Sequence, residues 1–120
     1  MPRVLVIEDL TEWQTKYRQD LPATVEIVPV TTLAGATTVV NQILAHTVPD
    51  FDVIVVDGSL HESGDTVLLA KRLGEAGYGA RMIAGSNSID SNFDLRVISG
   101  CEHEARKDQV VDKIREILGI

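Results

Sequence analysis

Apolar residues recur along the chain in two patterns, short continuous runs and longer stretches with a helical repeat. The run from Val4 to Ile7 is apolar and largely β-branched, which is typical of a buried strand. Phe51 to Val56 is the strongest run of this kind and is bounded by polar residues. Weaker runs predict three further strands, over residues 24–29, 81–84 and 101–105.

Helical spacing appears between these runs. Thr11, followed three residues later by Gln14, resembles a capping box at the start of a helix. Val67, Leu68 and Leu73 share one side of a later predicted helix. The stretch after residue 88 is weakly patterned and predicts a short or irregular helix. The five predicted helices cover approximately residues 11–21, 33–46, 64–76, 88–99 and 110–118.

Strands that alternate with helices predict an α/β fold, a parallel sheet covered by helices on both faces. The length of 120 residues argues for one domain over residues 1–120. Ligands of such sheets bind beyond the carboxyl ends of the strands. The residues that directly follow each strand are therefore the candidates for a functional site.

Polar side chains follow four of the five predicted strands: Glu8 and Asp9, then Asp57, Ser86 and Lys107. Taken singly, each has an ordinary explanation as a cap, a turn or a surface charge. Taken together, the three carboxylates need compensation, because charges about 4 Å apart repel by roughly 4 kcal/mol at an effective dielectric near 20. Lys107 and one Mg²⁺ would cancel their charge, and carboxylate oxygens suit that ion. Asp57 could then act as a nucleophile towards a phosphoryl group.

Composition narrows the classes of partner. The formal net charge of -7 argues against a nucleic-acid groove binder, which needs clustered Lys and Arg. No apolar run approaches the roughly 20 residues that span a bilayer. The single cysteine, Cys101, has no partner for an internal disulfide, which fits a reducing cytoplasm. We therefore expect a cytoplasmic protein that binds neither nucleic acid nor membrane.

Four segments resemble the response-regulator receiver family across essentially the whole chain. They are RVLVIEDL, FDVIVVDGSL, RMIAGSNS and GCEHEARKD, in that order. Each segment is weakly specific, and the ordered set is much more so. The resemblance implies a flavodoxin-like, doubly wound sheet of five parallel strands in the order 2-1-3-4-5. It also implies a phosphorelay, in which a sensor histidine kinase or a phosphotransfer protein phosphorylates Asp57.

The resemblance assigns a role to each residue of the site. Asp9 and Asp57 would bind Mg²⁺ directly, together with the backbone carbonyl of Ser59, and Glu8 would act through water. Ser86 would bind the phosphoryl group and Lys107 would pair with it. We expect a stand-alone receiver without an output domain, whose effect passes through a downstream protein target.

Four positions depart from the family's pattern. Asp108 stands where the family usually has proline after the lysine, and His61 replaces a common proline in the phosphoacceptor loop. Glu104 occupies the place of the aromatic residue that changes burial on activation. Asn87 replaces a small residue beside the serine, where it would narrow access to an acyl phosphate. These departures put the conventional output in question.

Two alternatives remain open. Glu104 and Asp108 favour a pseudo-receiver, a protein-interaction module of the same fold that works without phosphorylation. A phosphatase with an aspartyl nucleophile would carry a second Asp two residues after the first. Thr11 and Ser59 occupy those places here, so this alternative has weaker support.

Overall fold

The computed structural model describes residues 1–58 and 65–120. Its elements alternate as the sequence pattern predicts, and their ends lie within about two residues of the predicted ones, the usual uncertainty of such boundaries. A short 3₁₀ turn, Lys107–Gln109, precedes the last helix. The elements are β1 (Arg3–Ile7), α1 (Thr11–Asp20), β2 (Glu26–Val30), α2 (Leu33–Leu44), β3 (Val53–Val56), α3 (Asp65–Glu75), β4 (Arg81–Ala84), α4 (Ile89–Val97), β5 (His103–Glu104) and α5 (Val110–Leu118).

The strands form one parallel sheet in the order β2-β1-β3-β4-β5, which confirms the predicted flavodoxin-like topology. In the central pair, Ile7 of β1 lies opposite Val56 of β3. Alternate residues of β1, β2, β3 and β4 enter two different cores, one shared with α2, α3 and α4 and the other with α1 and α5. Both faces of the sheet are therefore covered, and its carboxyl edge is left for polar residues.

The predicted capping box at the start of α1 is wrong. Leu10 is the N-cap residue, and its side chain makes no capping hydrogen bond. Gln14 is instead turned inwards and buried, and its Nε2 donates to the backbone carbonyls of Val6 at 2.9 Å and Glu8 at 3.1 Å. Buried carbonyls at the end of a strand need a donor, and this need outweighs a local cap.

The predicted apolar side of α3 is wrong at one position. Leu68 is 56% exposed, whereas Leu69 is 7% exposed and packs in the core with Val67 and Leu73. Successive helical residues turn by about 100°, which places Leu69 on the buried side with Ala70 and leaves Leu68 outside it. The core contains Leu69, and the sequence pattern alone did not show which of the two neighbouring leucines is buried.

Strand β5 is shorter than predicted. It contains His103 and Glu104, and each pairs with a residue of β4. Cys101, which the prediction placed at its start, is buried in the core shared with α2 and α3. The acidic residues of this segment have low strand propensity, which accounts for the short pairing.

Candidate functional site

Three carboxylates meet at the carboxyl ends of β1 and β3. One oxygen from each of Glu8, Asp9 and Asp57 lies within 4.8 Å of the others. The backbone fixes this meeting, because the amide of Asp57 donates to the carbonyl of Ile7 at 2.9 Å. Glu8 and Asp57 are each 1% exposed, and Asp9 is partly exposed. The cluster is therefore a buried acidic pair with one carboxylate open to solvent.

Lys107 lies between the two buried carboxylates. Its Nζ is 2.8 Å from Oε1 of Glu8 and 3.2 Å from Oδ2 of Asp57. The amide of Ala105 donates to the carbonyl of Ala84 at 2.9 Å, which continues the sheet pairing up to the lysine segment. The side chain of Lys107 is 7% exposed, so its charge is stabilised by these carboxylates more than by water.

Burial shifts the pKa values of Glu8 and Lys107. It raises the pKa of Glu8 from 4.5 to about 8, and a hydrogen bond with Asp57 adds to the rise, while Lys107 opposes it. Burial lowers the pKa of Lys107, but its hydrogen bond to Glu8 and the charge of Asp57 outweigh that effect and raise it. Burial therefore favours the protonated form of Glu8, while the neighbouring carboxyl groups favour the charged form of Lys107.

Ser86 follows β4 at the same edge of the sheet. The amide of Gly85 donates to the carbonyl of Val56 at 2.9 Å, which holds the end of β4 against the end of β3. Ser86 is 1% exposed, and its Oγ accepts a bond from the amide of Ser88 at 3.0 Å. The structure thus places Ser86 on the strand next to the one that ends at Asp57.

Of the predicted site residues, the structure brings Lys107 into direct contact with Glu8 and Asp57. An oxygen of Asp9 lies within 4.8 Å of the other two carboxylates, and Ser86 follows the adjacent strand. Ser59, predicted as a backbone ligand, lies outside the described residues, as does His61.

The other departures from the family's pattern make contacts of their own. Asn87 accepts a bond through Oδ1 from the backbone amide of Lys107 at 2.9 Å. Glu104 is exposed and pairs with Arg96 at 3.2 Å. Asp108 lines a groove between α1 and α5. Asn87 therefore connects the loop after β4 to the lysine segment, a contact that the sequence did not predict.

Two buried amides were missed by the sequence analysis. Gln14 holds carbonyls at the ends of β1 and β2, including that of Val30 at 3.3 Å. Asn92, on α4, bonds to the backbone of Ser86. An amide residue on the inward side of a helix was the available signal, because such groups are buried chiefly where they satisfy other polar groups.

In the part of the chain that the structure describes, none of the helices is both long and apolar enough to cross a bilayer.

No protein-family model matches the sequence, and no curated protein matches it either.

Solved structures match nearly the whole chain. A CheY-like response regulator receiver domain protein from Methanospirillum hungatei JF-1 superposes with a TM-score of 0.75, at 17% identity, over 99% of this chain and 94% of that one. The Francisella response regulator 1452 receiver domain gives a TM-score of 0.71, at 18% identity, over 99% of this chain and 98% of that one. The chain has the response-regulator receiver fold.

A third receiver-fold match contains a modified aspartate. It is a response regulator protein from Burkholderia pseudomallei, whose structure has a phosphorylated aspartic acid, a calcium ion and citrate. The TM-score is 0.76 at 19% identity, over 98% of this chain and 66% of that one. At this identity the likeness establishes the receiver fold.

Proposed function

We propose that this protein is the phosphoacceptor of a two-component phosphorelay and that Asp57 receives the phosphoryl group. The observation that carries the proposal is the placement of Lys107 Nζ between Glu8 and Asp57, with Asp9 beside them. A buried lysine at that place supplies positive charge where phosphoryl oxygens would need it. The phosphorylated aspartate in the Burkholderia pseudomallei structure supports the same assignment.

The donor set of the acidic cluster fits a hard divalent cation. Its three ligand atoms are carboxylate oxygens within 4.8 Å of one another, and Asp9 is partly exposed, which leaves a path for an ion. Mg²⁺ prefers oxygen ligands and keeps several of its waters, so a cluster of this size suits it. Asp9 and Asp57 would hold the ion and Glu8 would act through water, with the backbone of Ser59 as a proposed further ligand. When bound, Mg²⁺ would neutralise charge on the phosphoryl oxygens.

Asp57, Lys107 and Ser86 have different roles in the proposed phosphoryl transfer. An oxygen of Asp57 attacks phosphorus, and the P–N bond of a donor's phosphohistidine breaks as the new O–P bond forms. The imidazole leaves with the electron pair of that bond and takes up a proton. Lys107 stabilises charge on the transferred group, and the hydroxyl of Ser86 donates to one of its oxygens. The donor is a sensor histidine kinase or a phosphotransfer protein, and the recipient of the signal is a downstream protein.

The pseudo-receiver alternative draws on the same contacts. Lys107 already bridges the two buried carboxylates, and the raised pKa of Glu8 lets the pair exist without a metal. A protein-interaction module would therefore be stable with its pocket unused. Mg²⁺ titration separates the two functions, because a phosphoacceptor binds the ion at millimolar concentration and a pseudo-receiver does not.

Labelling with radioactive acetyl phosphate tests the proposal. We expect Mg²⁺-dependent incorporation of label by the wild type and none by Asp57→Asn. Asp52→Asn is the matched control, because Asp52 immediately precedes β3, at the edge opposite Asp57, and is exposed. It should incorporate label like the wild type. Equal labelling of Asp57→Asn and the wild type would refute the assignment.

A further inference from the structure

Asn92 joins helix α4 to the residue that follows β4. Its Oδ1 accepts from the amide of Ser86 at 2.9 Å, and its Nδ2 donates to the carbonyl of the same residue at 2.7 Å. The Nδ2 also lies 3.5 Å from the carbonyl of Ala105, just after β5. Asn92 is 6% exposed, so these bonds are shielded from water. A two-point contact of this kind fixes the orientation of both peptide groups of Ser86 relative to the helix.

A second contact joins α4 to the residue after Asp57. A Cβ added to Gly58 would lie 3.1 Å from Cβ of Ser91 and 3.3 Å from Cδ1 of Leu95, so the backbone at this position is pressed against the helix. Helix α4 therefore abuts the site at two places, the residue after the proposed phosphoacceptor and the proposed phosphoryl-binding serine.

The opposite face of α4 is apolar and exposed. Ile89, Phe93 and Val97 are spaced four residues apart and are 86%, 62% and 65% exposed. The buried residues of this helix are Asn92 and Leu95. A helix held by few buried side chains is displaced at low cost, and any displacement moves the exposed residues with it.

We infer that Asn92 is a positioning residue that couples phosphorylation at Asp57 to α4 and so to its exposed apolar face. The inference rests on the proposed function. Movement of Ser86 Oγ towards a phosphoryl oxygen lengthens its 3.0 Å bond from the Ser88 amide, and the Asn92 amide carries the shift of the Ser86 backbone into the helix. Packed elements respond to such shifts by changing between discrete arrangements.

The ion pair between Arg96 and Glu104 is a weaker candidate for the same coupling. Its side chains are 50% and 48% exposed and their atoms lie 3.2 Å apart. Exposed pairs of this kind contribute little free energy because water and salt screen them. Of these two polar contacts, the buried amide contact is therefore the stronger link between α4 and the sheet edge.

The two phenylalanines of the chain provide a reporter and an internal control. Phe93 is exposed on α4, and Phe51 is 4% exposed and precedes β3, at the edge opposite Asp57. Both are replaced by 4-fluorophenylalanine, and fluorine NMR spectra are recorded before and after addition of beryllium fluoride and Mg²⁺. The same spectra show any bound beryllofluoride as a separate resonance. In the wild type we expect that resonance to appear, Phe93 to shift and Phe51 to stay in place.

Three variants locate the coupling. Asn92→Ala should lose most of the Phe93 shift per bound beryllofluoride, and Ser86→Ala should lose it without any change at residue 92. Glu104→Gln, the control, should keep the full shift. An undiminished shift in either of the first two variants, or its loss in Glu104→Gln, would overturn the inference. Bound beryllofluoride with an unmoved wild-type Phe93 would overturn it while leaving the proposed function standing. Absence of the bound resonance in the wild type would overturn both.

Discussion

The protonation of Glu8 makes the stability of the metal-free protein depend on pH. The pKa of Glu8 is about 8 in the folded chain, against an ordinary value of 4.5. The folded chain therefore binds this proton more tightly than the unfolded chain does. The resulting stability is complete below pH 4.5 and is lost as the pH rises through about 8. We expect Glu8→Gln, which cannot ionise, to remove this loss.

The size of the effect is bounded by the interval between the two pKa values. That interval corresponds to at most roughly 5 kcal/mol, at about 1.4 kcal/mol per pH unit. The pKa of about 8 already includes the opposing effect of Lys107, whose ammonium lies 2.8 Å from Glu8. Between about pH 5 and pH 8.5 we expect the wild type to lose up to roughly 4 kcal/mol more than Glu8→Gln.

Urea denaturation of chelator-treated protein across that pH range measures the difference. Other titrating groups are shared by the two proteins, so subtraction of their free energies of unfolding isolates residue 8. Glu12→Gln, an exposed change on α1, is the matched control and should follow the wild type. Added Mg²⁺ should reduce the alkaline loss in the wild type, because an ion that binds the folded state stabilises it. Parallel curves for the wild type and Glu8→Gln would refute the reasoning.

Two further changes test the packing around the site. Gln14→Leu should lower the free energy of unfolding by about 1–3 kcal/mol, because the carbonyls of Val6 and Glu8 lose a buried donor; an unchanged urea midpoint would contradict this role. Gly58→Ala should cost about 1 kcal/mol or more, since its Cβ would meet Ser91 at 3.1 Å. Gly79→Ala is the control for Gly58→Ala, because a Cβ at Gly79 would meet nothing within 4 Å. Equal urea midpoints for the two alanine variants would count against the close contact between Gly58 and Ser91.

The fold was predictable because its signals are local and repeated. Strands β1 and β3 are continuous apolar runs, and their alternation with helical patterns leads directly to a parallel sheet. The inward turn of Gln14 and the burial of Leu69 in preference to Leu68 depend on groups brought together by folding. A pattern read along one helix does not contain those groups, and tertiary contacts override its local preferences.

Which residues form the site was also predictable from the sequence. Residues after parallel strands converge at one edge, so Glu8, Asp57 and Lys107 could be placed together before their distances were known. Their protonation could not be predicted, because the raised pKa of Glu8 results from burial and from the position of its neighbours. The contact of Asn92 with Ser86 could not be predicted either, because α4 has a weak hydrophobic pattern. Which side of this helix is buried is known only from the folded structure.

Chemical mapping of the modified residue tests the central claim most directly. The protein is incubated with acetyl phosphate and Mg²⁺, treated with borohydride, which reduces an aspartyl phosphate to homoserine, and digested for peptide mass spectrometry. The account predicts homoserine at position 57, dependent on both acetyl phosphate and Mg²⁺, with Asp9 and Asp52 unmodified. Homoserine at another aspartate, or an intact Asp57 under conditions that phosphorylate a known receiver domain in parallel, would contradict it.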